Sequence, residues 1–179
     1  MRLFIAVDLS EELREKIAPI LKTISELNGV KAVERENLHI TLKFLGEVRE
    51  ERLPAIVEAL KKVEFEPFKI YLKGFGFFPN DRYARVAWIG VKEGEEELKK
   101  LAESINSALK KVGFKPESFT AHVTIARVKK PEGRRIVEIL RDLEDDFGWM
   151  EVKDFRLKKS TLTSKGPIYE DLEVYGVVK

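Results

Sequence analysis

The chain has 179 residues, 44% of them apolar, with a net charge of only +2 and no cysteine. That length suits one domain, or two small lobes around a shared core. The lack of cysteine excludes disulfides, thiolate nucleophiles and thiolate metal sites, and the near-zero net charge excludes a protein that coats nucleic acid over its whole surface while leaving room for a local basic patch.

Residues 2–8 read as a strand that closes at Asp8. Ser10 is a plausible N-cap for a helix whose apolar positions, Leu13, Ile17, Ile20, Leu21, Ile24 and Leu27, follow a helical period until Asn28-Gly29. A short strand near 31–34 and a longer one over 38–45, ended by Gly46, come next. A helix over 50–63 follows, with Pro54 in its first turn, where proline is tolerated. Residues 68–78 and 83–91 read as strands joined by the turn Pro79-Asn80-Asp81-Arg82. The order then recurs: helix 95–112, strand 119–128, helix 134–143, and two strands, 150–160 and 168–178, around Ser164-Lys165-Gly166-Pro167.

The unit of helix, strand, helix, strand, strand thus occurs twice, over roughly 10–91 and 94–178, as expected of an internal duplication within a single bilobal domain spanning 1–179. The expected fold is α+β, with two antiparallel sheets related by a pseudo-two-fold axis, helices on the outer faces and a central cleft. The halves in sequence need not be the lobes in space, because the first strand or the last pair could cross over.

The N-terminal stretch is too short and too quickly charged for a signal peptide. No uncharged apolar run approaches the roughly 18 residues that span a membrane. The expectation is a cytoplasmic protein with no membrane partner. Glutamine is absent, asparagine occurs four times, and 36% of residues are charged. This is the bias of a thermophile protein, or a chance bias in a short chain.

The chain has only two histidines, and both lie in one frame: His39-Ile40-Thr41-Leu42 and His122-Val123-Thr124-Ile125. On a strand, residues i and i+2 share a face. His39 with Thr41, and His122 with Thr124, would each present an imidazole and a hydroxyl to one side. Brought together across a groove, the two pairs suit phosphodiester cleavage. One histidine takes a proton from the attacking oxygen, the other gives one to the leaving oxygen, and the threonine hydroxyls hold the non-bridging oxygens. This chemistry needs no metal or cofactor. Ligand spacings for a metal and a G-x-S-x-G elbow are both missing from the chain.

The sequence resembles the two-histidine phosphoesterase superfamily, in particular its RNA 2′,3′-cyclic phosphodiesterase or 2′-5′ RNA ligase branch. The resemblance runs through 2–8, 37–46, Phe78-Pro79, 85–90, 119–127 and 160–169, and includes both H-x-T motifs. It implies a cleft lined by His39, Thr41, His122 and Thr124, hydrolysis of an RNA-terminal 2′,3′-cyclic phosphate to a 2′-phosphate, and reversible, ATP-independent joining to a 5′-hydroxyl end. It leans towards His122 as base and His39 as acid, an assignment the residues alone leave symmetric. The implied partner is RNA with 2′,3′-cyclic phosphate and 5′-hydroxyl ends, for which tRNA halves and tRNA processing are candidates, and a monomer is expected. A phosphodiesterase for small cyclic nucleotides and an RNA-end-binding module without catalysis are the alternatives.

Phe44 and Arg127 stand five residues after the two histidines. A ring and a cation in matching places could sandwich a nucleobase, and the resemblance supports that placing. Position i+5 lies on the wrong face of a regular strand, so the sandwich needs a bulge or strand end after each motif. Otherwise Phe44 is core and Arg127 a surface charge. Lys43 is placed on the face of His39 and Thr41, near a phosphate or as a rim charge. Arg82, Tyr83 and Arg85 form a basic, aromatic turn that could touch RNA or be an ordinary hairpin turn.

Overall fold

The structure, a computed structural model, describes residues 1–176, so the last two positions of the expected strand 168–178 lie outside the described residues. The chain runs β1 (Arg2–Asp8), α1 (Glu11–Ser25), β2 (Val30–Ala32), β3 (His39–Glu47), α2 (Leu53–Lys61), β4 (Phe68–Phe78), β5 (Val86–Glu93), α3 (Glu95–Lys110), β6 (His122–Val128), α4 (Ile136–Arg141), β7 (Asp146–Val152), β8 (Asp154–Thr163) and β9 (Gly166–Gly176).

Helix α1 starts where its cap does: Ser10 Oγ accepts from the Leu13 amide at 3.3 Å, and Glu11 and Glu12 occupy the positively poled first turn. Pro19 lies inside the helix, an interior position that costs about 3 kcal/mol. The buried face of Leu13, Ile17, Ile20, Leu21 and Ile24 outweighs it, since each such side chain contributes roughly 1.5–3 kcal/mol on burial.

The strands form two antiparallel sheets, β3-β1-β8-β9 and β2-β6-β5-β4-β7. The expected α+β architecture of two antiparallel sheets is observed. The lobes are not the halves of the sequence. β3 shares its sheet with strands from both ends of the chain, whereas β4 and β5 join β6. Helices α1 and α4 pack on the five-stranded sheet, and α2 and α3 on the four-stranded one. A single connected core takes Ile5 and Ile40 from one sheet and Ile89 and Val123 from the other.

Several boundaries are shifted by two or three residues, as where the helix expected over 50–63 is Leu53–Lys61 and the strand over 83–91 is Val86–Glu93, and three differences bear on the path of the chain or on the site. Residues 150–160 are not one strand: β7 and β8 belong to different sheets, and the chain crosses between them at Lys153. Val152 and Phe155 are fully buried on either side of the crossing, so the apolar pattern runs through it unbroken. Gly46 lies within β3 at φ 74°, at a shift in the β1–β3 register, rather than at the strand's end. β6 begins at His122 itself, not at 119.

Candidate active-site cleft

His39 opens β3 and His122 opens β6, so the two motifs lie on strands of different sheets that pack against each other. Each imidazole is anchored in the same way. His39 Nδ1 lies 2.6 Å from the carbonyl of Asn37, and His122 Nδ1 lies 2.8 Å from the carbonyl of Thr120. A carbonyl can only accept, so both Nδ1 atoms carry the proton. In the neutral ring that leaves Nε2 as the basic nitrogen. His39 Nε2 is 2.9 Å from Thr41 Oγ1, whereas His122 and Thr124 are not hydrogen-bonded.

Aromatic rings stand against both imidazoles. Phe4 and Tyr169 approach His39 at 5.2 and 5.5 Å, and Phe78 and Trp88 approach His122 at 5.1 and 6.1 Å. Burial pushes the His39 pKa below its ordinary value. The bond to the Asn37 carbonyl and the Asp8 carboxylate oppose this shift, while the charges of Lys158 and His122 add to it. Asp8 pairs with His39 across β1 and β3. It is bound by Lys158 at 3.0 Å, and Lys158 also holds Asp171 at 2.6 Å.

The cleft between the sheets holds a cavity of about 730 Å³, walled by His39, Thr41, Phe44, Thr124, Arg127 and Tyr169 among others. His122 is not part of that wall. It stands further back along β6 than Thr124, near enough for its charge to act on His39.

Phe44 and Arg127 reach the cavity because both strands bulge. Pairing jumps from Ile5↔Lys43 to Ala6↔Thr41, leaving Leu42 unpaired, and from Ala87↔Ala126 to Trp88↔Thr124, leaving Ile125 unpaired. Each extra residue resets the alternation. After it, Leu42 and Lys43 are both buried, as are Ile125 and Ala126, and the next residue turns outward.

The same bulge corrects the placing of Lys43. Its side chain points away from the cleft and is buried, with Nζ 2.6 Å from both Asn106 Oδ1 and the Lys115 carbonyl, and 3.5 Å from Glu117 Oε1. Lys43 therefore ties β3 to the segment that leads into His122 and does not face a phosphate. Tyr83 and Arg85 are not brought to the cavity either. The Arg134 guanidinium lies 5.4 Å from the exposed Tyr83 ring. Arg85 is bonded through its backbone to Phe78 and Val128, and its side chain lies in solvent. Among the described residues, no cluster of three or more His, Cys, Asp and Glu is placed to hold a metal ion.

The model of the LigT-like phosphoesterases matches this chain twice, over residues 7–88 and 89–169. The chain belongs to that family, within the two-histidine phosphoesterase superfamily. LigT-like relatives include a protein of Archaeoglobus fulgidus, 56% identical over 98% of this chain and 99% of its own length, and one of Methanothermobacter thermautotrophicus, 42% identical over 98% of each. Both carry the name RNA 2′,3′-cyclic phosphodiesterase. Among solved structures, TT0787 of Thermus thermophilus superposes with a TM-score of 0.81 at 32% identity, covering 99% of this chain and 98% of its own. E. coli LigT complexed with 3′-AMP also superposes at 0.81, with 26% identity and the same coverage.

Sequence reasoning gave no role to Phe4, Asp8, Asn37 or Tyr169, and offered Lys158 only as part of a basic track beside the cleft or a solvated face, whereas it is paired with Asp8 and Asp171. The only signal was that all but Lys158 lie in the stretches that carry the family resemblance, without anything to mark them as neighbours of His39.

Proposed function

We propose that this protein hydrolyses a 2′,3′-cyclic phosphate at an RNA end to a 2′-phosphate, with His39 and His122 as its acid–base pair. The observation that carries this reading is the matched anchoring of two imidazoles on packed strands of different sheets, each Nδ1 held by the carbonyl two residues before it. The names of the relatives support the substrate class. The matching of both halves to one family model supports a duplicated single domain.

In the proposed step, His122 takes a proton from water as its oxygen attacks phosphorus. The bond from phosphorus to the 3′-oxygen breaks, and His39 protonates that oxygen. Thr41 and Thr124 hold the non-bridging oxygens as negative charge builds. Burial disfavours the His39 imidazolium in the free protein, and the phosphate anion seated beside the ring offsets that. With a 5′-hydroxyl in place of water, the same transfers give a 2′-5′ linkage without ATP. A pair of tRNA halves would supply both ends. The proton transfers account for the reaction without a metal ion. Phe44 and Arg127 hold the terminal base between them.

The test is incubation of an RNA oligonucleotide ending in 2′,3′-cyclic phosphate, in EDTA, with wild type, His39→Ala and His122→Ala. Each substitution is expected to slow formation of the 2′-phosphate by at least about 10²-fold, the scale of acid–base groups. No turnover by wild type at any temperature short of unfolding would overturn the reading.

A further inference from the structure

The cavity is larger and more basic than one terminal nucleotide requires. Arg2, Lys31, Arg127, Lys129 and Lys165 line it against a single carboxylate, Glu34. None of these five cations has an ion-pair partner among the described residues, although ion pairs tie up many other basic side chains of the chain. On the reading proposed above, Thr41, Thr124 and the imidazoles serve the cyclic phosphate, and Phe44 and Arg127 serve its base. Arg2 is engaged with Phe44, its guanidinium 5.3 Å from the ring. Lys31, Lys129 and Lys165 are then left with nothing from the terminal nucleotide.

These three lysines share one end of the cavity. Lys31 pairs with Arg127 across β2 and β6, which puts both side chains on the cavity side. Lys165 sits at the tip of the β8–β9 hairpin, and the neighbouring Gly166 comes close to the Lys31 side chain. Lys129 follows the end of β6. At about 3.3 Å per strand residue it lies on the order of 15 Å from Thr124, beyond a phosphate held at the reaction centre. The hairpin is fixed in place, since Asn37 Nδ2 donates to the Pro167 carbonyl at 3.2 Å and Thr163 Oγ1 to that of Gly166 at 2.6 Å. Leu162 is 69% exposed and lines the cavity there, an apolar surface for a ribose or base.

We infer that this end of the cavity is a second subsite that binds the backbone phosphate joining the terminal nucleotide to its upstream neighbour. Lys31, Lys129 and Lys165 supply the charge, and the hairpin tip covers the upstream sugar and base. The subsite makes the protein selective for RNA ends over cyclic mononucleotides. This rests on the cyclic-phosphate reading of the cleft and adds to it a measure of substrate length.

The experiment compares kcat/KM for a 2′,3′-cyclic mononucleotide and for a trinucleotide ending in 2′,3′-cyclic phosphate. Wild type and a Lys31→Gln, Lys129→Gln, Lys165→Gln triple variant are each assayed over a range of salt. All three lysines are exposed, so the substitutions leave the core untouched. The expected result is that wild type prefers the trinucleotide and that the triple variant lowers the trinucleotide-to-mononucleotide ratio by about tenfold or more. The salt slope for the trinucleotide should flatten by about 0.7 for each phosphate that the variant no longer neutralises, the increment for single strands. Equal use of both substrates by wild type, or an unchanged ratio in the variant, overturns the subsite while leaving the cyclic-phosphate reading standing. Turnover of neither substrate by wild type overturns that reading, and the subsite with it.

Discussion

Leu42 and Ile125 occupy equivalent places in two different sheets: each is the unpaired residue of a β-bulge, three positions after a histidine. The bulges bring the fifth residue after each histidine, Phe44 or Arg127, to the cavity wall that Thr41 and Thr124 also line. Two regular strands would have hidden both. For the base sandwich, stacking on a side chain is worth roughly 1–3 kcal/mol per base. Phe44→Ala and Arg127→Ala are each expected to lower kcat/KM for RNA 2′,3′-cyclic phosphate by about 10-fold or more, mainly through KM. Unchanged steady-state kinetics in either variant would remove that residue from the site.

His39 titrates below its ordinary pKa, chiefly through burial. A reaction needing one protonated and one neutral imidazole gives a bell-shaped kcat/KM profile, one limb of which follows His39. Asp8 opposes the shift and Lys158 adds to it. Asp8→Asn should therefore move that limb to lower pH. Lys158→Gln should move it to higher pH. Linkage gives a second readout. The unfolded chain binds the His39 proton at higher pH than the folded one, so this group's contribution to stability is complete above about pH 6.5. It falls away as pH drops through the depressed folded value. His39→Gln should flatten that part of the stability–pH curve, measured by denaturant titration at several pH values.

Lys43 is the clearest case of a side chain that sequence spacing misplaces. Its buried ammonium satisfies Asn106 Oδ1 and the Lys115 carbonyl. Asn106 in turn accepts from the Glu117 amide and donates to the Glu117 carbonyl. Lys43→Met keeps the stem and removes the donor. Asn106 Oδ1 keeps the Glu117 amide as a donor, while the Lys115 carbonyl loses its side-chain donor, so the variant is expected to lose on the order of 1 kcal/mol of stability, the scale of one hydrogen bond, measured by denaturant titration. Because the clamp holds the segment before His122, kcat should fall more than KM changes. A variant with wild-type stability would show that the clamp contributes nothing.

The helices, most strand positions and both H-x-T motifs were legible because each rests on local signals: a Ser10 cap, apolar periods, and a residue pair on one strand face. What was not legible depends on pairing between distant segments. Nothing near Lys153 marks the crossing between sheets, since Val152 and Phe155 continue the apolar pattern on both sides. The phase of Lys43 depends on an unpaired Leu42, which only the register with β1 defines. The charge environment of His39 comes from Asp8 and Lys158, at opposite ends of the chain.

Gly76 offers the most direct test of what stands behind His122. A Cβ at this position would lie 2.1 Å from the six-membered ring of Trp88, which packs on His122. Gly76 and Trp88 are cross-strand partners on β4 and β5, and Trp88 pairs with Thr124 on β6, so all three share the face that carries His122. A methyl there forces the indole to move into the imidazole's neighbourhood. Overpacking of this kind costs typically about 1–3 kcal/mol. Gly76→Ala is therefore expected to lower stability by about that amount. It should also lower kcat by more than a comparable small-to-large change remote from the cleft, such as Ala59→Val on α2. Measuring thermal stability and kcat for both variants separates displacement of His122 from general loss of packing. Equal kcat values at equal destabilisation would mean that Trp88 does not position His122.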